Sequence, residues 1–310
     1  MKYFQNEKYV NYLILFLFLC STILGLVIIL RTSPKDVVSQ KYAKDKIAVV
    51  ELVGEIYFKE SSSFIKKDVD YYVSKLTTFF KRKDVKGIVL KINSPGGSVA
   101  AVQKLYNHII KLKSQYDKPI VCYISELCAS GGYYVASACD KIISCEGGVV
   151  GSIGVLLQVG NISELLKKIG VNVEVIKSSK YKDVGSIFRE MLPEERQMFE
   201  SLVNAAYEQF INAIVEGRKL SKEEVMKFAD GKIFIASQAV ELKMVDTIGD
   251  EDDAIEEVKQ LAKIKGPIEI IREKPTIFDF LQQTVSQSKF MFQRYSFDNF
   301  KKFRFEYIFE

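Results

Sequence analysis

From Ile47 to Ser178, short apolar runs alternate with segments whose apolar residues recur at helical spacing. IAVVELVGEI (47–56), GIVLKIN (87–93), PIVCYIS (119–125) and KIISC (141–145) read as strands. DVDYYVSKLTTFFKRKD (68–84) and VAAVQKLYNHIIKLKSQY (99–116) read as helices, and SGGYYVASACD (130–140) is compatible with one. Helix SELLKKIG (163–170) and strand VNVEVIKS (171–178) continue the series. Helices of this length between strands act as crossovers, so the pattern predicts an α/β body built on a largely parallel, buried sheet.

From Pro193 the chain turns helical. Leu192-Pro193-Glu194-Glu195 has proline and acids where a first turn favours them. Ser221-Lys222-Glu223-Glu224 fits a capping box. The acidic run from Asp250 to Glu257 shows no metal-ligand spacing and reads as a solvated helix start.

Val10 to Leu30 is an uncharged run of 21 residues. About 20 such residues cross a bilayer as a helix. The run lacks the small-residue cleavage pattern of a secretory signal, and Cys20 follows Leu-Phe-Leu where a lipoprotein signal wants small residues. An uncleaved single-pass anchor is the expectation. The expected organisation is a tail (1–9), anchor (10–30), linker (31–45), main domain (46–264) and aromatic, basic C-terminal tail (265–310). From Phe278 onward that tail holds eleven Phe or Tyr, with no helical stripe. A membrane-surface segment, a subunit contact and disorder all fit it. Arg31, Lys35, Lys41, Lys44 and Lys46 flank the anchor on the domain side, against Lys2 and Lys8, which by charge alone favours a cytoplasmic domain.

Composition narrows the chemistry. With 48% hydrophobic and 27% charged residues, a disordered chain is excluded. A net charge of +5 is too small and dispersed for nucleic acid, so no such partner is expected. The single histidine removes most zinc enzymes and leaves a Ser-His-Asp mechanism hanging on one residue. That residue, His108, lies mid-helix in LYNHIIKLK and reads as a helix-face side chain.

Two glycine-bearing turns come directly after strands. Asn93-Ser94-Pro95-Gly96-Gly97-Ser98 joins a strand to a helix, where backbone N–H groups can hold a phosphate, a carboxylate or an oxyanion. It lacks the Gly-Lys-Ser/Thr of a phosphate loop, and on its own it is equally a tight structural turn. Ala129-Ser130-Gly131-Gly132-Tyr133-Tyr134 places a serine at a helix start, where an N-cap role is the commoner one. Cys128 is a rival nucleophile whose bland reading is a core thiol. For a base, Lys182 in SSKYKDVGS (178–186) stands out beside Lys180. A lysine can serve only if desolvation lowers its pKa from about 10.4 toward neutrality.

Together these motifs resemble the membrane-anchored signal peptide peptidases, the SppA-type serine proteases with a Ser-Lys dyad (peptidase family S49). The resemblance covers residues 46–264 and rests on NSPGGS (93–98), ASGGYY (129–134), GSIGV (151–155), SKYKDVGS (179–186) and ADGKIFIASQAVELKMVD (229–246), in the family's order. It implies a Clp protease/crotonase-like fold of repeated ββα units with a helical C-terminal extension. It further implies Ser130 as nucleophile, Lys182 as general base, Gly97 and Gly131 N–H as the oxyanion hole, and Ser152 orienting the lysine. No metal, cofactor or histidine is needed. Ile187-Phe188 lacks a proline often found there in the family, which removes no catalytic atom. The family also implies a homo-oligomeric ring at the cell membrane, with serine and lysine from neighbouring subunits. Its members degrade freed signal peptides and other short apolar peptides, and it places the domain outside the cytoplasm, against the flanking charges. A membrane protease with one specific substrate, a catalytically silent scaffold and a crotonase-like acyl-CoA enzyme are the rival readings. The last gives Lys182 and the anchor no role.

Overall fold

The computed structural model of the protein describes residues 45–58, 67–272 and 305–308, together with Tyr12, Phe16 and Leu19. In chain order the elements are β1 (Asp45–Val53), α1 (Val69–Lys81), β2 (Val85–Ser94), β3 (Gly96–Ser98), α2 (Val99–Gln115), β4 (Ile120–Ala129) and α3 (Gly131–Ala136). Next come β5 (Lys141–Ser144), β6 (Val149–Gly151), β7 (Leu156–Leu157), α4 (Ser163–Lys168), α5 (Pro193–Arg218) and α6 (Lys222–Met226). The remainder are β8 (Ile233–Ile235), α7 (Ala236–Glu241), β9 (Thr247–Ile248), α8 (Glu251–Leu261), β10 (Ile268–Ile271) and β11 (Phe305–Ile308).

The main sheet runs β10-β1-β2-β4-β5-β9, with every neighbour parallel. β6 joins the far half of β4 in parallel and carries β8 antiparallel. The continuous apolar runs are explained by burial on both faces. Along β1, Ala48, Val50 and Leu52 enter the larger core with residues of α1, α2, α3 and α5. The alternate Ile47 and Val49 pack against Ala254, Ile255 and Val258 of α8.

Local chemistry sets the helix ends. The Asp68 carboxylate caps α1 at Tyr71 N, Pro193 opens α5, and Ser221 with Glu224 closes a capping box on α6. The acidic run at Asp250 is a helix start, with Asp250 accepting from the Asp252 and Asp253 N–H groups.

One expectation fails. Residues 171–178 form no strand, because among the described residues no sheet strand pairs with them: Val171, Val173 and Val175 stay exposed and Ile176 is 96% exposed. Two strands also lie beyond Ile264, inside the segment expected to be a tail: β10 extends the main sheet, and β11 joins a second sheet of order β3-β11-β7. The anchor expected over 10–30 lies outside the described residues except at Tyr12, Phe16 and Leu19, which are helical. Among the described residues no helix is long and apolar enough to cross a membrane.

Candidate active site

Both glycine turns leave the same edge of the sheet. β2 and β4 are adjacent and parallel, with Ser94 opposite Cys128, so their C-terminal ends bring Gly96, Gly97, Ser130 and Gly131 together. Clefts in open α/β sheets form at such ends. The first turn is locked by Ser94, whose Oγ donates to Gly54 O at 2.6 Å and accepts from Gly96 N at 3.1 Å. Gly96 takes φ +106°, which favours glycine. Ile56 then holds one side of β3: Ile56 N donates to Gly96 O at 2.8 Å, and Ser98 N donates to Ile56 O at 3.0 Å. Backbone groups alternate along a strand, so the intervening Gly97 N–H points the other way, toward β11.

Ser130 comes directly after β4. Its N–H donates to Gly151 O at 2.7 Å, and its carbonyl accepts from Tyr134 N at 3.0 Å. These bonds hold it at φ 50°, ψ −118°, outside the ordinary regions for a side-chain-bearing residue. Such backbones cost about 1–3 kcal/mol and cluster at functional sites. The Ser130 Oγ is buried and, among the described residues, has no hydrogen-bond partner. A buried hydroxyl left unpaired costs about 1–3 kcal/mol more. An N-cap role does not explain it, since its side chain makes no cap bond to α3.

Beside Gly96 and Gly131 lies a peptide carbonyl of the chain itself. β11 runs antiparallel to β3, with Tyr307 opposite Gly97 and Ile308 opposite Gly96, and antiparallel to β7 on its other side. A Cβ on Gly96 would overlap the Tyr307 carbonyl oxygen and lie 2.7 Å from Gly131 N; a Cβ on Gly131 would lie 3.0 Å from that same oxygen. The Tyr307 carbonyl therefore sits among Gly96, Gly97 and Gly131, on the side to which the Gly97 N–H points. Beside β7 a groove of about 530 Å³ opens, with Leu157, Val159, Met191, Phe199 and Val203 along its apolar wall.

Gly97 has no room for a side chain. A Cβ there would overlap Ile56 O and lie 2.6 Å from Ile56 C, all of it backbone. If the Gly97 N–H serves as the resemblance implies, Gly97→Ala should displace it and lower peptidase activity about 100-fold or more. Steady-state kinetics checks this, with a melting curve to separate lost activity from lost fold.

Ser152 sits next to Gly151, the backbone partner of Ser130, and is held at φ 50° with its N–H on Lys232 O at 2.6 Å. Lys182 is placed differently. It is exposed on the 177–190 segment, and because Ser130 Oγ has no partner, the two do not meet within this chain. The neighbours of Lys182 are tightly tied. Asp183 accepts from Arg189 Nε at 2.9 Å and Lys177 Nζ at 2.6 Å, while Arg189 also reaches the buried Glu195 at the start of α5, its Nη1 2.9 Å from Glu195 Oε2. Nothing in the spacing of these residues marks them as a unit.

The Arg189 guanidinium holds the Glu195 carboxyl down to about 2 against the opposing effect of burial, and holds Asp183 well below the carboxylate range. For depressed carboxyls the stabilisation is complete above the ordinary glutamate value of 4.5 and is lost as pH falls through about 2. Hydrogen-exchange protection factors over 177–190 should thus hold from neutral pH to about 4.5 and collapse toward 2. Arg189→Met should lose that protection already at neutral pH, with β1 and β2 unchanged. Equal protection in both proteins would show that the network does not order the segment.

The rival groups lie elsewhere. His108, on α2, has its Nε2 2.7 Å from Thr77 Oγ1 of α1, and partial burial lowers its pKa. Cys128 is fully buried in the larger core; burial pushes the Cys122 thiol up, and a hydrogen bond with Cys122, followed by burial, pushes the Cys139 thiol up. Among the described residues no cluster of His, Cys, Asp and Glu could hold a metal ion.

The chain is similar to known peptidases. The family model described as Peptidase family S49 matches residues 112–265, and that described as Clp protease matches residues 49–159. A putative protease of Methanocaldococcus jannaschii is 39% identical over 269 residues, 85% of each chain. A putative signal peptide peptidase SppA of Enterococcus faecium is 35% identical over 66% of this chain and 60% of its own. Protease 4 of Salmonella typhi is 30% identical over 66% of this chain and 33% of its own.

Proposed function

The chain belongs to peptidase family S49 and is a serine-type peptidase, and from that premise we propose that it is a membrane-anchored endopeptidase whose catalytic pair is Ser130 and Lys182. The observation that carries the reading is the buried, unpartnered Ser130 Oγ on a strained backbone, next to a cradle already filled by a peptide carbonyl. Lys182 takes the Ser130 proton as Oγ attacks the scissile carbonyl, and returns it to the leaving amine. The Gly97 and Gly131 N–H groups stabilise the tetrahedral oxyanion. Ser152 orients the lysine.

The lysine comes from a neighbouring copy in a homo-oligomeric ring. Support for this is the exposure of apolar side chains on the stretch just before it: Leu165, Ile169, Val171, Val173, Val175 and Ile176 all face solvent in the single chain. Exposed apolar side chains gathered on one stretch mark an interface. Contact with a second copy would also desolvate the ammonium, which a lysine base requires.

Residues 10–30 anchor the protein in the cell membrane as a single span, with the catalytic domain outside the cytoplasm. The substrates are freed signal peptides and other short apolar peptides, which partition to the membrane surface. The apolar wall of the groove beside β7 supports this preference. A silent scaffold is disfavoured because it would gain nothing from the strain and the unpaired hydroxyl at Ser130.

The test uses the full chain in lipid vesicles, given a synthetic signal peptide and a folded globular protein, with products read by mass spectrometry. The peptide should be cut and the folded protein left intact. An uncut peptide, or equal cleavage by the Ser130→Ala protein, would overturn the reading.

A further inference from the structure

Residues 171–178 and the strand β8 each lack what the other offers. VNVEVIKS begins with the alternation of a half-buried strand. Among the described residues, however, 172–178 make no main-chain hydrogen bond, and Val171, Val173 and Val175 face solvent. β8 is paired on one side only, with β6. The Gly151 carbonyl accepts from Ser130 N, so Gly151 faces β4. Main-chain groups alternate in direction, so Val150 faces β8 and exchanges bonds with Phe234 opposite it. The Ile233 N–H and C=O therefore point outward, where no strand lies among the described residues. Edge strands are ordinarily blunted by charge, proline or a covering element. This one shows Ile233 and Ile235, 45% and 48% exposed, and a Cβ on the adjoining Gly231 would meet nothing within 4 Å.

Resting on the reading that Lys182 serves the Ser130 of another copy, we propose that residues 171–178 of one copy add as a strand to the free edge of β8 in the next. Main-chain bonds hold a strand added in this way, and alternate side chains select it. The site fixes the direction. Ser152 donates its N–H to Lys232 O at 2.6 Å, and Gly151 lies opposite Ile233, so the Ile233 end of β8 is the end beside Ser130. The chain leaving Ser178 has to bring Lys182 to that end, so the added strand runs antiparallel to β8. The side chains fix the parity. Residues directly opposite share a face, and a slip of one residue turns every side chain to the other face. Val175 opposite Ile233 and Val173 opposite Ile235 make one apolar stripe and leave Glu174 on the other face. Donor segment and acceptor edge are different surfaces, so the contact repeats head to tail, the arrangement that builds a ring and not a two-fold dimer.

The experiment uses the full chain carrying Ser130→Ala in lipid vesicles, so that turnover plays no part. Cysteine pairs are introduced as Val175→Cys with Ile233→Cys, Val173→Cys with Ile235→Cys, and Glu174→Cys with Ile233→Cys. After mild oxidation, a non-reducing gel separates the products and mass spectrometry identifies the linked peptides. Residues opposite each other across an antiparallel pair lie about 4.5–5.5 Å apart, within reach of a disulfide. The first two pairs should give a ladder of covalent multimers containing the linked peptides. The third should give none, because its side chains point to opposite faces. A third ladder as strong as the first, links confined to the monomer band, or no ladder at all would overturn the proposal. Val175→Pro, which removes the N–H that would bond Ile233, should shift the protein to smaller species in sedimentation with its circular dichroism unchanged. An unaltered assembly would count equally against the pairing.

Failure of the underlying reading looks different. A ladder formed by copies whose Ser130→Ala and Lys182→Ala variants stay silent on mixing would keep the strand and remove the shared site. Recovery on mixing without a ladder would keep the shared site and remove the strand.

Discussion

Ser130→Ala should reduce hydrolysis of an apolar fluorogenic peptide by at least about 10,000-fold, because it removes the proposed nucleophile. The fold should survive and gain slightly. The wild-type hydroxyl is buried without a partner, so deleting it removes an unsatisfied polar group instead of a bond. The melting temperature should therefore hold or rise while activity vanishes, whereas loss of a packing residue lowers it. The strained backbone remains, because the bonds from the Ser130 N–H to Gly151 O and from Tyr134 N to the Ser130 carbonyl are main-chain and survive the substitution. A serine-directed phosphonate should label the wild type at Ser130 and leave the variant unlabelled. Cys128, two residues away but packed in the core, should stay unmodified in both.

Lys182→Ala should cost about 100- to 10,000-fold in kcat, the usual weight of a general base, with far less effect on KM. The side chain is exposed in the single chain and does not meet Ser130 there, so its loss should not move the melting temperature. Lys180→Ala is the discriminating control. Lys180 lies two residues away, pairs with Glu194 at 3.3 Å and is also exposed, so its variant should retain most activity. If Lys180→Ala were the silent protein and Lys182→Ala the active one, the base would be reassigned.

The main sheet is legible from the chain because its strands are buried on both faces and so read as unbroken apolar runs, as at Ile47–Val50 and Ile88–Leu90. The glycine turns are legible because Gly96 and Gly97 sit where backbone closes on backbone, which no other residue permits. Residues 171–178 mislead for a physical reason: alternating valines signal a half-buried strand, yet among the described residues nothing covers these side chains and they stay exposed. The β11 strand is invisible to a helical period, the one sought in the aromatic tail. From Phe303 to Phe309 the period is two, with Phe303, Phe305, Tyr307 and Phe309 alternating with Arg304, Glu306 and Ile308. The Arg189 network is illegible because charge pairs between Asp183, Arg189 and Glu195 depend on how a loop folds back on a helix start, which spacing does not encode.

The central claim is that Ser130 of one copy works with Lys182 of another. Mixing the Ser130→Ala and Lys182→Ala proteins, after dissociation and reassembly, tests it most directly, with subunit exchange verified by energy transfer between labelled copies. Partial recovery is expected, because mixed assemblies contain interfaces where an intact serine meets an intact lysine. Exchanged assemblies that remain as inactive as either parent would contradict it.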